Sequence, residues 1–168
     1  TVLYECLYEG YGSNGVAVMA EILTDNKNRT AAEIRKVFEM SGGNLGESGC
    51  VSWMFQQKGV ITVNSEGIEE DELMALVLDA GCDDLHVEGG KYEIDCEIKD
   101  YNNVKKVLQD EGIKIEFAEI SWIPSTLIEL DDAKGKKVVS LMEKLENHDD
   151  VQNVYANFSL PEGFLSEL

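Results

Sequence analysis

Amides and cations ahead of a helix start can hold an anion, and one stretch of this sequence sets them side by side. In Asp25-Asn26-Lys27-Asn28-Arg29-Thr30, two amides and two cations precede an apolar-periodic run. Free backbone N–H groups and the positive end of a helix dipole favour negative charge there. A plainer role fits the same residues: Asn28 or Thr30 caps the helix, and Glu33, three residues after Thr30, completes a capping box. Beyond the helix, Gly42, Gly43, Gly46 and Gly49 shape a loop around Asn44 that can approach a ligand closely. Asn26, Lys27, Asn28, Arg29, Asn44 and, past the loop, Lys58 are therefore the candidate anion contacts. The loop is neither a P-loop, for no Gly-Lys-Ser/Thr follows it, nor a dinucleotide fingerprint, for the helix comes before it. No nucleotide cofactor is expected.

Other reactive side chains are few. His86 falls in a strand and His148 near a helix end, neither with a serine or cysteine at nucleophile spacing. Both read as structural or exposed. Glu69-Glu70-Asp71-Glu72 and Asp83-Asp84 lack the alternating ligands of an EF-hand loop and read as a solvated helix start and a turn. Cys6, Cys50, Cys82 and Cys96 are scattered, without a CxxC pair, as buried free thiols are. No catalytic residue, metal ligand or cofactor is assigned, and the chain reads as a non-enzyme.

The elements that must position the candidates follow from hydrophobic period. Residues 2–11 and 16–24 read as a hairpin rich in β-branched and aromatic residues, turned at Gly12-Ser13-Asn14-Gly15. Residues 31–40 form a helix with Ile34, Val37 and Phe38 on one face; Gly42 and Gly43 end it in left-handed conformations. Residues 50–55 read as a strand with Trp53 as core. Then come a strand at 60–64, a helix at 69–80, a hairpin of 84–88 with 92–98, a helix at 102–111 and a strand at 114–123 carrying Ile115, Phe117 and Ala118 inward. That order is βαββαβ, the ferredoxin-like arrangement. An extended piece at 126–130, a helix at 133–146 with Val138, Leu141, Met142 and Leu145 on one face, and a strand at 151–160 follow; residues 161–168 read as a loose tail.

The expected fold is α+β: two ferredoxin-like α/β domains with antiparallel sheets, the second inserted into the first. Residues 1–59 with 125–168 make the discontinuous domain and 60–124 the insert, hinged near residues 58–60 and 123–125.

Composition bounds the function. With 33 acidic and 14 basic residues the 168-residue chain carries a net charge of -19, the opposite of a bare nucleic-acid binder. The acidity is uneven: residues 1–60 hold seven acids and five bases, residues 61–124 seventeen and five, residues 125–168 nine and four. The least acidic surface coincides with the candidate contacts. No apolar run approaches the roughly 20 residues of a membrane span, and the start lacks a signal peptide's positive charge. A cytoplasmic protein with no membrane partner is expected. The first residue is Thr1, which suggests a processed chain or a fragment.

Tyr8-Glu9-Gly10-Tyr11-Gly12, Thr24-Asp25-Asn26 with Asn28-Arg29-Thr30, Gly42-Gly43-Asn44-Leu45-Gly46, and Trp53-Met54-Phe55 with Lys58-Gly59 closely resemble the central region of the YebC/PmpR family. The rest of the chain resembles that family's later domains more loosely. The resemblance implies a three-domain protein in which a basic helical domain, starting Gly-His-Ser-Lys-Trp, precedes two α/β domains; much of the nucleic-acid affinity is expected from that preceding part. Family members are described as DNA-binding transcriptional regulators. The mitochondrial relative activates translation of cytochrome c oxidase subunit I, and bacterial relatives resemble ribosome-associated factors that relieve stalling. No catalytic residues come with the resemblance. The function it implies is a DNA-binding regulator of gene expression; the alternatives are a ribosome-associated translation factor and an acidic protein-interaction or ligand-sensing module. The implied partner is nucleic acid, DNA or RNA on the ribosome, met mostly through the preceding basic domain, and the oligomeric state is left open.

Overall fold

The computed structural model describes residues 1–161, so the expected loose tail lies outside the described residues apart from Pro161. In chain order the elements are β1 (Tyr4–Tyr11), β2 (Ala17–Thr24), α1 (Lys27–Met40), β3 (Asn44–Leu45), β4 (Phe55–Asn64), α2 (Glu70–Leu78) and β5 (Cys82–Glu88). There follow β6 (Lys91–Cys96), α3 (Tyr101–Asp110), β7 (Ile115–Pro124), β8 (Ile128–Glu129), α4 (Asp132–Glu146), β9 (Val151–Ala156) and β10 (Phe158–Ser159). The chain forms two compact units: Thr1–Gln56 with the segment from Pro124 onward, and Gln57–Ile123. Each contains a four-stranded antiparallel sheet, β3-β1-β2-β9 in the first and β5-β6-β4-β7 in the second; β8 and β10 form a small parallel pair. The fold is α+β, as the alternation of periods implied.

In the first unit β1 and β2 pair antiparallel from Tyr4↔Thr24 to Tyr11↔Ala17, and β2 passes the ladder to β9, with Ala20 opposite Val154. Val16, Val18, Ala20 and Ile22 bury one sheet face against Ile34 and Phe38 of α1 and Val138, Leu141 and Leu145 of α4. Burying a side chain of this size stabilises by about 1.5–3 kcal/mol, so the two helix stripes and the central strand are the principal apolar glue of this unit.

Helix α1 begins at Lys27, four residues before the expected start. Asn26 is its cap, with Oδ1 accepting from the Arg29 N–H at 3.1 Å. Neither Asn28 nor Thr30 caps, and Glu33 completes no capping box. Thr30 lies inside the helix, fully buried, because its hydroxyl meets Thr24 Oγ1 at 2.7 Å and donates to Asp150 Oδ2 at 2.7 Å. Arg29 Nη2 reaches the same oxygen at 2.8 Å, and the Asp150 carbonyl accepts from Leu23 N–H at 2.9 Å. Asp150 thus knots the end of β2, the start of α1 and the approach to β9.

The expected strand at 50–55 is absent. Residues 46–54 form a loop ending in a 3-10 turn at Ser52–Met54, and β4 starts at Phe55 and runs unbroken to Asn64. The loop folds around the side chain of Glu9, which is only 3% exposed. Glu9 Oε2 accepts from Gly49 N–H at 2.7 Å, Oε1 from Val51 at 3.1 Å and Ser52 at 2.6 Å, and the Glu9 carbonyl from Gly46 at 2.8 Å. Burial opposes ionisation of Glu9, but the three N–H groups outweigh it and hold its carboxyl below the usual range. Gly49, at φ +88°, gives the loop the left-handed step that aims these donors inward.

The second unit is βαββαβ, with spatial order β5-β6-β4-β7. Ile61, Val63, Leu73, Val77, Leu85, Ile94, Val104 and Leu108 make its core. Ile115 and Ala118 pack against it as expected, but Phe117 stays 46% exposed because β7 is an edge strand with a neighbour on one side only. On β6, burial and then the adjacent Asp95 push the Glu93 carboxyl up to about 7.

Two outcomes test these anchors. Replacing Asp150 with Ala removes the acceptor shared by the buried Thr30 hydroxyl and Arg29 and is expected to destabilise by about 2 kcal/mol in urea unfolding. Glu9→Gln is expected to lose about 2–3 kcal/mol near pH 7, because an amide NH2 then meets backbone donors. Since Glu9's folded pKa is lowered, its contribution is complete above the unfolded value of about 4.3 and disappears as pH falls through the folded value. The gap between wild type and Glu9→Gln should therefore close in acid; a gap constant from neutral to acid pH would show that the carboxylate charge does not hold the loop.

Candidate functional site

The turn before α1 is largely consumed by its own structure. Asn26 caps; Lys27 lies with Nζ 4.8 Å from the centre of the Tyr4 ring; Asn28 is exposed. Arg29 meets three carboxylates, Asp150 at 2.8 Å and Asp25 and Glu33 at 3.3 Å, so its charge is already compensated. Asn44, exposed in β3, pairs with Tyr11. About 21 Å of helix separates the two ends of α1, and Asn44 follows the end opposite the turn. Lys58 belongs to the second unit, where it pairs with Asp83 at 2.9 Å. Within the first unit, Asn44 and the turn before α1 lie at opposite ends of the helix.

The glycines shape the backbone. Gly42 has φ +81°, a left-handed cap, and Gly49 the step described above. Gly43 has no positive φ; a Cβ there would sit 2.1 Å from the Tyr11 carbonyl oxygen, so only glycine lets the loop lie against β1. Gly46 lies similarly close to Cys50 Sγ.

The cations that do converge are on α4. A groove of about 470 Å³ between the end of α1 and α4 is lined by Ser13, Ser41, Lys136, Lys137, Ser140 and Lys144, with Met40 and Gly42 completing the wall. The three lysines are exposed, and the Ser41 hydroxyl is buried without a hydrogen-bond partner. An oxyanion entering the groove meets ammonium groups and hydroxyl donors, the chemistry that holds phosphate. Part of this positive charge also complements the carbonyl end of α1, whose last turn carries no base. The sequence carries the signal: Lys136, Ser140 and Lys144 recur every four residues, a polar stripe on the same helix as the apolar one.

Trp53 is the second feature that sequence reasoning misplaced. It is 73% exposed rather than core. Its indole N–H donates to the Cys50 carbonyl at 3.0 Å, which also accepts from Tyr11 Oη at 3.4 Å, so the ring stands on the Glu9-anchored loop. A large aromatic face held out to solvent is a platform for stacking.

The remaining reactive groups named below are paired with side chains of the same chain or raised in pKa by burial. His148 receives the Asp150 N–H on Nδ1 at 3.1 Å and meets Glu33 through Nε2 at 2.9 Å. Burial pushes the Cys96 thiol up to about 11, and Cys82 and Cys50 in the same direction. His86 lies between Asp84 and Asp95.

The family described as "TACO1/YebC second and third domain" matches residues 3–158. A "Probable transcriptional regulatory protein" of Dictyoglomus thermophilum is 48% identical over 165 residues, covering 98% of this chain and 66% of the relative. A protein of the same description from Pelotomaculum thermopropionicum is 50% identical over 158 residues, covering 93% of this chain and 65% of its own length. The chain thus spans just under two thirds of these relatives. The crystal structure of the conserved hypothetical protein Aq1575 from Aquifex aeolicus superposes with a TM-score of 0.88 at 41% identity, covering 97% of this chain and 68% of that one. With the family pattern running through nearly every described element of both units, this chain belongs to the TACO1/YebC family.

Proposed function

We propose that the protein is a non-catalytic regulator of gene expression that binds DNA, meeting the phosphate backbone at the α4 groove. The relatives' description as transcriptional regulatory proteins supports the class. One observation carries the contact: in a chain of net charge -19, Lys136, Lys137 and Lys144 converge with hydroxyl groups on a single groove. Lysines act there as point charges toward phosphate oxygens, with the serine hydroxyls as donors. Both histidines are engaged by carboxylates and the buried thiols are held protonated, which supports a role without catalysis.

A second reading, a ribosome-associated factor binding RNA, is favoured by Trp53. An exposed indole stacks on unpaired bases, which folded RNA offers and duplex DNA does not.

Binding of the 168-residue chain to labelled duplex DNA and to single-stranded RNA across a salt series tests both. Replacing Lys136, Lys137 and Lys144 together with Ala is expected to weaken duplex binding about tenfold or more and to lower the log–log salt slope by about 2–3. Arg29→Ala should leave affinity within about twofold while lowering thermal stability, as its charge is internally paired. An unchanged salt slope in the triple variant removes the groove from the interface. Trp53→Ala should weaken RNA binding by about 1–3 kcal/mol and spare duplex binding; undiminished RNA affinity sinks the second reading.

A further inference from the structure

The second unit carries a cluster that the nucleic-acid reading does not use. On the β5–β6 hairpin Asp84 pairs with Asp95 and His86 with Glu93. The four side chains therefore stand together on one face of the sheet, opposite the face that Ile94 gives to the core. His86 Nε2 is 3.2 Å from Asp95 Oδ2 and 3.3 Å from Asp84 Oδ2, and one donor atom from each of the three residues falls within 4.8 Å of the others. The two distances from His86 match the roughly 3.3 Å edge of a tetrahedron built from bonds of about 2.0–2.1 Å.

An acidic cluster alone would be unremarked. The independent observation is Asp95 itself: its side chain is only 7% exposed, and Oδ1 is buried with no hydrogen-bond partner. The His86 contact satisfies only the other oxygen. A buried carboxylate oxygen left bare is strongly disfavoured, and Glu93, the next acid on that face, can donate to Asp95 only while it keeps its proton; once ionised it cannot satisfy the oxygen. A positive ion can.

We propose that Asp84, His86 and Asp95 form a site for a first-row divalent transition cation. One imidazole nitrogen with carboxylate oxygens suits manganese, iron or zinc; magnesium and calcium prefer oxygen alone. His86 serves as the neutral ligand through Nε2. The surroundings favour capture, since residues 57–123 hold seventeen acids against six bases and raise the local cation concentration.

Manganese(II) alone is the suitable probe, because it neglects the four free thiols. Titrated calorimetrically into the chelator-treated chain near neutral pH, it is expected to fill one site per chain, above the diffuse binding of an acidic surface, and to raise the melting temperature. His86→Gln and Asp84→Asn are each expected to weaken that site by about tenfold or more. Asp84 is exposed, so its variant reports on the site even if Asp95→Asn fails to fold. At substoichiometric manganese the His86 ring signals should broaden before those of His148. Undiminished affinity in Asp84→Asn, equal broadening of both histidines, or displacement by an equal concentration of magnesium would each overturn the site and leave a plain ion pair.

Discussion

The first unit depends on a bond between distant parts of the chain. β2 and β9 are neighbours in the sheet although the whole second unit lies between them in sequence, and closing so long a connection carries an entropic penalty before any contact forms. Asp150 gathers the return. Its backbone binds Leu23 and His148, and its carboxylate takes the Thr30 hydroxyl and Arg29. The Thr30 hydrogen bond, with Arg29 beside it, holds that carboxyl below the usual range. The β2–β9 register then follows, and with it the side-by-side placement of α1 and α4 over one sheet face.

That knot explains why Arg29, the most suggestive cation in the sequence, is paired within the chain. Arg29 and Thr30 resemble an anion site because they are one, but the anion is Asp150 of the same chain, while Asn26 is spent on the helix cap. Glu9 repeats the device at the other end of the unit, where backbone N–H groups that could have cradled a phosphate cradle an internal carboxylate. Both acids thus act as structural ligands, and the loop that Glu9 shapes presents Trp53 outward.

What was legible was what obeys a single period. The β1–β2 hairpin, the βαββαβ unit and the apolar stripe of α4 each repeat at two or at three to four residues, and each formed within a few positions of its expected limits. The failures lie where a tertiary partner overrode the local pattern. Lys27 to Thr30 have no apolar period and suggest a loop; they are helical because Asn26 caps the helix and Thr30 finds Asp150. Trp53 looked like core in an aromatic run, yet Glu9, forty residues earlier, pulls the backbone around it into a turn. The groove lysines were visible in spacing, but only the packing of α1 beside α4 makes them a concavity.

The charge balance then acquires a physical meaning. A net charge of -19 repels polyanions at long range, but at physiological salt that repulsion is screened beyond about 8 Å. Lysines in a groove act within that distance, where hydroxyl donors add to the attraction. On the binding proposed above, the acidic chain repels arbitrary polyanionic surface while the α4 groove attracts a phosphate backbone that enters it. Specificity of this kind comes from suppressing the diffuse electrostatic binding that a uniformly basic protein cannot avoid.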